Sequence, residues 1–355
     1  MNTFVIAEAG ANHNRNFEQA LRLIDIAKES GASAVKFQTY SSESLYAKNT
    51  ADFAGYENIN KLIKDIELPR EWQPQLKEYC DSTNIEFFST PFDEKAVEEL
   101  VALGVKRLKI SGFESTDFRF VEMVASTRLP LIISLGIGFD PFSTSEGSHL
   151  YRLFSILNKY QNPVALLHCN NAYPTPLSDA GLSKLKGISS AVDALNPPYP
   201  NSIGLSDHTF SLHVPSLAVA LGATTIEKHF TLSRLLPGPD HPFALEPNEL
   251  KKMINLIKET EEALSPSTGL YSESEKSFQN ARRSVVTTRK MEKGERLGAD
   301  NITTKRPFVS GNIPASDYDK VMGKKVKTNL HKDQCLRSTD LDAAHESYAQ
   351  MWSGG

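Results

Sequence analysis

Cysteine is scarce in this chain of 355 residues: Cys80, Cys169 and Cys335 stand far apart and form no CxxC pair. That spacing excludes a disulfide framework and a zinc ribbon, and it sets the expectation of a reducing, cytoplasmic compartment. Cys169 follows an apolar run without an activating neighbour in sequence, so it reads as a buried thiol rather than a nucleophile. Apolar runs of membrane-spanning length are missing. The opening MNTFVIAEAG leads straight into a strand pattern, and no secretory signal is expected from it. Charge of one sign is lacking as well. A net charge of -4 gives no reason to expect nucleic acid or an acidic membrane as partner. The first strand-to-helix turn also lacks GxGxxG, which speaks against a dinucleotide-binding fold.

What is present is an ordinary soluble composition, 40% hydrophobic and 23% charged, carrying a regular alternation. Short apolar runs read as strands at Phe4–Ala7, Ala34–Gln38, Glu86–Ser89, Arg107–Ile110, Leu131–Ser134, Val164–His168, Ile203–Leu205 and Thr224–Ile226. Helical periodicity fills the gaps at Phe17–Ser30, Trp72–Thr83, Glu94–Leu103, Phe118–Ser126, His149–Tyr160, Leu177–Ala194 and Leu212–Leu221, and Glu249–Leu264 follows the last strand. Eight strands with eight helices is the count of a closed parallel (β/α)8 barrel. An open doubly wound sheet is the alternative, because strand order cannot be read from one sequence.

In a barrel, function sits just after the strands, and the unusual residues are there. Two strands end similarly, in Ser206-Asp207-His208-Thr209 and in Glu227-Lys228-His229-Phe230. On parallel neighbours, His208 and His229 would lie side by side at one rim. Two imidazoles so placed make half of a metal site that leaves positions for substrate; the bland alternative is a pair of satisfied structural histidines. Glu8 follows the first strand, Lys36 and Gln38 end the second, and Thr90 follows the third. Lys109, Ser111 and Glu114 follow the fourth, Ser134 the fifth, and Asn171 and Tyr173 the sixth. Lysines inside apolar strands commonly reach out to a surface. Two at barrel strand ends, with serine and asparagine, suggest a phosphate or carboxylate site. His13 has two readings, as part of the site or as packing within its turn. The long segment Thr39–Leu68 reads as a lid or rim.

The barrel is expected to span residues 1–265. A Ser-, Pro- and Gly-rich texture marks a linker over 266–281, and a small loop-rich β domain follows over 282–341. The polar tail 342–355 is expected to be disordered.

The motifs IAEAGANHN, VKFQTY, FFSTPFD, LLHCNNAYPTP, GLSDHT, GATTIEKHF and PGPDHPFALEP, in this order, resemble the sialic acid synthase family, whose members make N-acetylneuraminate, pseudaminate and legionaminate. Arg282-Arg283-Ser284, Lys293-Gly294-Glu295 and Lys305-Arg306-Pro307 extend the resemblance through the small domain. The resemblance implies a (β/α)8 barrel followed by an antifreeze-like (SAF) domain, and a domain-swapped homodimer. It implies condensation of phosphoenolpyruvate with an N-acetylated hexosamine, releasing phosphate. On matching positions, His208 and His229 would hold a divalent metal, Mn2+ or Mg2+. Lys36, Lys109, Ser111, Ser134, Asn171 and Ser206 would bind phosphoenolpyruvate; Glu8, Gln38, Tyr173 and Asp240 would position the sugar, with Thr90 near the pocket. Arg306 would reach across the dimer, and Glu114 would manage the attacking water. The Ser111-Gly112-Phe113-Glu114 run departs from the neuraminate-type Gly-Ser-Gly-Glu and looks more like the pseudaminate branch, whereas Tyr173-Pro174-Thr175-Pro176 favours the neuraminate or legionaminate side. Two alternatives stand beside this reading: a metal-dependent pyruvate aldolase or lyase, and a non-catalytic sugar-binding protein.

Overall fold

Residues 3–48, 50, 57–266, 269 and 271–342 are described by the computed structural model. The chain divides into two compact units, Met1–Ser265 and Pro266–Gly355. In the first, eight parallel strands run as β1 (Phe4–Glu8), β2 (Ala34–Thr39), β3 (Glu86–Pro91), β4 (Leu108–Ile110), β5 (Leu131–Leu135), β6 (Val164–Cys169), β7 (Asn201–Asp207) and β8 (Thr225–His229). Their order is β3-β2-β1-β8-β7-β6-β5-β4, and β3 packs against β4 across the remaining gap. A sheet whose two ends are touching, consecutive strands is a near-closed barrel, not an open doubly wound sheet.

Helices α1 (Phe17–Ser30), α2 (Ser42–Leu45), α3 (Ile59–Ile66), α4 (Gln73–Thr83), α5 (Glu94–Ala102), α6 (Phe118–Ala125), α7 (His149–Tyr160), α8 (Lys184–Leu195), α9 (Val214–Ala220) and α10 (Pro247–Ala263) accompany the strands. Local sequence sets their starts. Asn16 accepts from the Gln19 amide at the head of α1 (3.0 Å), and Asp93 does the same for Ala96 at α5 (2.7 Å). Along α1, Ala20, Leu23, Ile24 and Ala27 recur at helical spacing and are buried against the sheet. Helices α2 and α3 lie within the segment read as a lid or rim; residues 49 and 51–56 of that segment are outside the described residues. No helix among the described residues is long and apolar enough to cross a membrane.

The strand period of two sorts side chains between two layers. One set joins the helices in the large apolar layer. The other points into the barrel, where Ile6, Ala34, Phe88, Ile132 and Leu167 form a separate apolar cluster. Burying Phe88 there contributes on the order of 2 kcal/mol. Gly204 belongs to the same level. A β-carbon on it would come within 2.2 Å of the Thr225 carbonyl oxygen and 2.5 Å of the Leu167 side chain, so that level is filled. Two residues further along each strand, the same inward faces carry Glu8, Lys36, Thr90, Ser134, Cys169, Ser206 and Glu227. The polar cluster therefore stands directly on an apolar floor.

Three sequence readings need correction. Strands β7 and β8 extend beyond the apolar runs Ile203–Leu205 and Thr224–Ile226, so Ser206, Asp207, Glu227, Lys228 and His229 are strand residues rather than loop. Buried polar contacts inside and outside the barrel sustain them there. The pattern Leu177–Ala194 is not one helix but a short 3-10 turn, Leu177–Asp179, and α8. The Ala180 carbonyl between them meets His168 Nε2 at 3.0 Å instead of a helical amide. The described residues of the barrel's second strand-to-helix connection also contribute the two helices α2 and α3, which periodicity missed.

In the second unit, β9 (Ser284–Thr287) and β10 (Ile302–Lys305) pair antiparallel, and a short α11 (Tyr318–Val321) follows. Val285, Met291, Leu297, Ile302, Ile313, Val326, Leu330, Leu336 and Leu341 make its own core. A 3-10 segment, Glu273–Ala281, lies within the stretch read as linker, whose residues 267, 268 and 270 are outside the described ones. The tail from residue 343 onward is also outside them.

The filled barrel level gives a stability prediction. Gly204→Ala should cost about 1–3 kcal/mol through overpacking. The check is a thermal melt, in which an unchanged midpoint would mean that this level has slack.

Candidate active site

The base of the site is a buried set of charges at the carboxyl ends of the strands. Register places Lys36 beside Glu8 on β1 and β2 and Ser206 beside Glu227 on β7 and β8. Lys36 Nζ lies 2.6 Å from Glu8 Oε2, 3.6 Å from Glu227 Oε1, and donates to Thr90 Oγ1 at 2.9 Å. Lys109 Nζ lies 3.7 Å from Glu227 Oε2 and donates to Ser134 Oγ at 2.8 Å. Gln38 donates to Glu8 Oε1 at 2.8 Å, and Ser206 donates to Glu227 Oε1 at 3.5 Å. Both lysines are 2% exposed.

The two lysines share a carboxylate but not its consequences. Burial pulls Lys36 down, yet Glu227 and Glu8 together hold it above its ordinary value. Burial also pulls Lys109 down, and with Glu227 as its main counter-charge the net direction is downward. Glu227 is held low: burial raises it, but Lys109 and Lys36 outweigh that. Glu8 goes the other way, to about 7, because burial and the like charge of Glu227 outweigh Lys36.

Above the lysines stand the two histidines, with ring centroids 5.4 Å apart. Burial lowers His208 to about 4 and His229 well below its ordinary value, so both rings are neutral near pH 7. His208 Nδ1 is 2.7 Å from the Asn170 carbonyl oxygen. A carbonyl only accepts, so Nδ1 carries the proton and Nε2 keeps its lone pair. His229 Nδ1 is buried without a hydrogen-bond partner and lies 3.8 Å from Asp240 Oδ2. Asp240 accepts from the Ala11 amide at 3.2 Å, and burial raises its carboxyl. This approach depends on Gly10, because a β-carbon there would fall 2.6 Å from Asp240 Oδ2. Tyr173, whose ring centroid is 4.2 Å from that of His208, flanks the pair, with Phe243 5.1 Å from His229. Two neutral imidazoles with oriented or unpartnered nitrogens suit a divalent cation that takes further ligands from substrate and water. Among the described residues, no group of three or more His, Cys, Asp and Glu side chains forms a ready-made cage.

The rim holds the remaining positions. Ser111 Oγ donates to Glu114 Oε2, and burial raises Glu114. Asn171 Oδ1 accepts from the Ile137 amide at 2.8 Å. His13 packs near Phe37 and Trp72 and accepts from the Arg15 amide at 3.0 Å, which favours the packing reading. Cys169 is buried, its thiol pushed up to about 11 by burial, in line with its reading as a buried thiol. Arg306 belongs to the second unit, directly after β10 and before a cis Pro307.

Comparison with known proteins decides the family. A NeuB family profile matches residues 23–268, and a SAF domain profile matches residues 282–342. The chain belongs to the NeuB family. It is 36% identical to an N,N'-diacetyllegionaminic acid synthase of Legionella pneumophila over 97% of this chain and 96% of that protein. It is 33% identical to a pseudaminic acid synthase of Campylobacter jejuni, covering 95% of this chain and 96% of that protein. A solved N-acetylneuraminic acid synthetase of Leptospira borgpetersenii, in complex with citrate, is 34% identical with a TM-score of 0.67, covering 78% of this chain and 90% of that one. As a NeuB-family synthase, the protein condenses phosphoenolpyruvate with an amino sugar to form a nonulosonic acid.

Within this NeuB-family site, the structure brings together Glu8, Lys36, Gln38, Thr90, Lys109, Ser134 and Ser206 below, and His208, His229, Tyr173 and Asp240 above. The sequence reading left out Glu227. Its signal was its parity with His229 on the same strand face, which only a longer β8 makes visible. Because Glu227 neutralises two lysines, Glu227→Gln should destabilise the ligand-free protein by about 3 kcal/mol. Phosphoenolpyruvate should restore more of its thermal stability than it adds to the unsubstituted protein; an equal ligand shift in both would remove Glu227 from this role.

Proposed function

We propose that this enzyme joins phosphoenolpyruvate to a 2,4-diacetamido-6-deoxyhexose, giving a diacetamido nonulosonic acid and phosphate. The observation that carries the reading is Lys36 and Lys109, bridged by Glu227, directly beneath two neutral histidines. The names of the legionaminic and pseudaminic acid synthases support the diacetamido sugar. The solved neuraminic acid synthetase keeps N-acetylmannosamine as the second reading.

Lys36, Lys109, Ser134 and Ser206, with Ser111 and Asn171 at the rim, would fix the carboxylate and phosphate of phosphoenolpyruvate at the base. Glu8, Gln38, Tyr173 and Asp240 would orient the open-chain sugar above it, with Thr90 buttressing Lys36. Holding both reactants this way replaces a bimolecular encounter with a near-attack arrangement. His208 and His229 would hold the Mn2+ or Mg2+ ion, which supplies Lewis-acid polarisation of the sugar aldehyde when bound. The methylene carbon (C3) of phosphoenolpyruvate forms the new bond to the aldehyde carbon, whose oxygen takes up a proton. Positive charge then develops at C2, the carbon that bears the phosphate, and water adds there. Glu114 would accept the water's proton; the C2–O bond to phosphate then breaks as the new hydroxyl gives up its proton, leaving the 2-keto acid and phosphate. Burial raises the Glu114 carboxyl, which makes the carboxylate a stronger base for the water's proton. In a domain-swapped homodimer, as the resemblance implies, Arg306 of each chain would serve the other's site.

The deciding experiment is phosphate release from phosphoenolpyruvate with Mn2+, comparing the diacetamido sugar with N-acetylmannosamine. Faster release with the diacetamido sugar is expected; release only with N-acetylmannosamine would install the second reading. Glu114→Gln should lower kcat by about 100-fold or more with little change in KM for phosphoenolpyruvate. Steady-state kinetics on the variant check this, and a changed KM with normal kcat would assign Glu114 to binding. Lys109→Met and Arg306→Ala homodimers should each be impaired, and mixing them after dissociation should regain activity if the sites are shared between chains.

A further inference from the structure

Lys228 and Asp207 are buried, charged and unused by the chemistry above. They face away from the barrel interior, since Glu227 and His229 on β8 and Ser206 on β7 take the inward positions. The two are register partners, and Lys228 Nζ lies 2.6 Å from Asp207 Oδ2 with both side chains 2% exposed. Lys228 also donates to the Thr209 carbonyl and, at 3.5 Å, to the Ser211 carbonyl. Asp207 Oδ1 accepts from the Thr209 amide at 3.0 Å, and Oδ2 from the Thr209 hydroxyl at 3.2 Å. The chain that leaves β7 is thus drawn back over the end of β8.

A buried ion pair of this kind is poor value as a stabiliser, since apolar residues of similar volume commonly do as well. Its geometry serves another purpose. Asp207 immediately precedes His208, and Lys228 immediately precedes His229. On its far side His208 is already held by the β6 loop, through Nδ1 to Asn170 and through its carbonyl, which accepts from the Thr175 amide at 2.9 Å. The Asp207–Lys228 contact adds a side-chain tie at the last register pair of the β7–β8 ladder, immediately before the two histidines. We infer that Asp207 and Lys228 are positioning residues that set the separation and direction of the His208 and His229 rings for a divalent cation. The inference rests on the proposal that these histidines hold the metal.

Removing Lys228 alone leaves a buried carboxylate and risks misfolding, so neutral pairs make the better test. D207N/K228M keeps the volume and the contact of residue 207 to Thr209 but has no donor at 228. D207N/K228Q restores a donor there. On the full chain, Mn2+ binding is measured by calorimetry and by the Mn2+ electron paramagnetic resonance signal, with melting recorded in parallel. D207N/K228M should bind Mn2+ about 10- to 100-fold more weakly, the loss seen when groups supporting metal ligands are removed. It should lose kcat with KM for phosphoenolpyruvate little changed, and D207N/K228Q should recover most of the affinity. Equal Mn2+ affinity in both variants and the parent would overturn the inference alone. Mn2+ binding that survives H208A/H229A would overturn the metal reading, and this inference with it.

Discussion

One carboxylate shared by two buried ammonium groups sets the terms for the rest of the site. Glu227 reaches toward Lys36 and Lys109 from a strand that neither of them touches in register. Without it, two positive charges would face each other at the bottom of a barrel, far from water. Glu8 then makes the pair unequal. Lys36 has two carboxylates and stays firmly charged, whereas burial dominates at Lys109. The base of the site is thus prepared for an anion before one arrives, and that preparation depends on strand register, which loops could not supply with the same precision.

Above this base the histidines obey a different logic. There, burial outweighs the nearby carboxylates and keeps both rings neutral, and a single carbonyl contact selects the tautomer of His208. The lysine level is electrostatic and the histidine level is stereochemical. Each is held by strand ends and their immediate loops. The rim, with Ser111, Glu114, Asn171 and Tyr173, rests on loops, where sequence can vary without disturbing either level.

Much of the fold was legible because each strand carried a short apolar run and each main helix a clean period. The barrel itself was read from the count of eight strands and eight helices; what the sequence did not mark is the contact that distinguishes it from an open sheet, β3 meeting β4. The ends of β7 and β8 were misread for a related reason. Ser206, Asp207, Glu227 and Lys228 are polar, and polarity at a strand end looks like a turn until the partners that bury it are known. Lys36, Lys109 and the histidine pair stood out because charged or ligating residues interrupt apolar strands. Glu227 stood in the same motif as His229 and was passed over, since its importance lies in two lysines from distant strands.

The apolar floor of Ile6, Ala34, Phe88, Ile132 and Leu167 closes the barrel just below the lysines. It makes the site a blind-ended well. In the proposed arrangement, with phosphoenolpyruvate at the base and the sugar over it, the deeper reactant would have no second entrance. Order of arrival would then matter: the three-carbon partner would descend first, the sugar would follow over it, and a sugar that entered early would stand in its way.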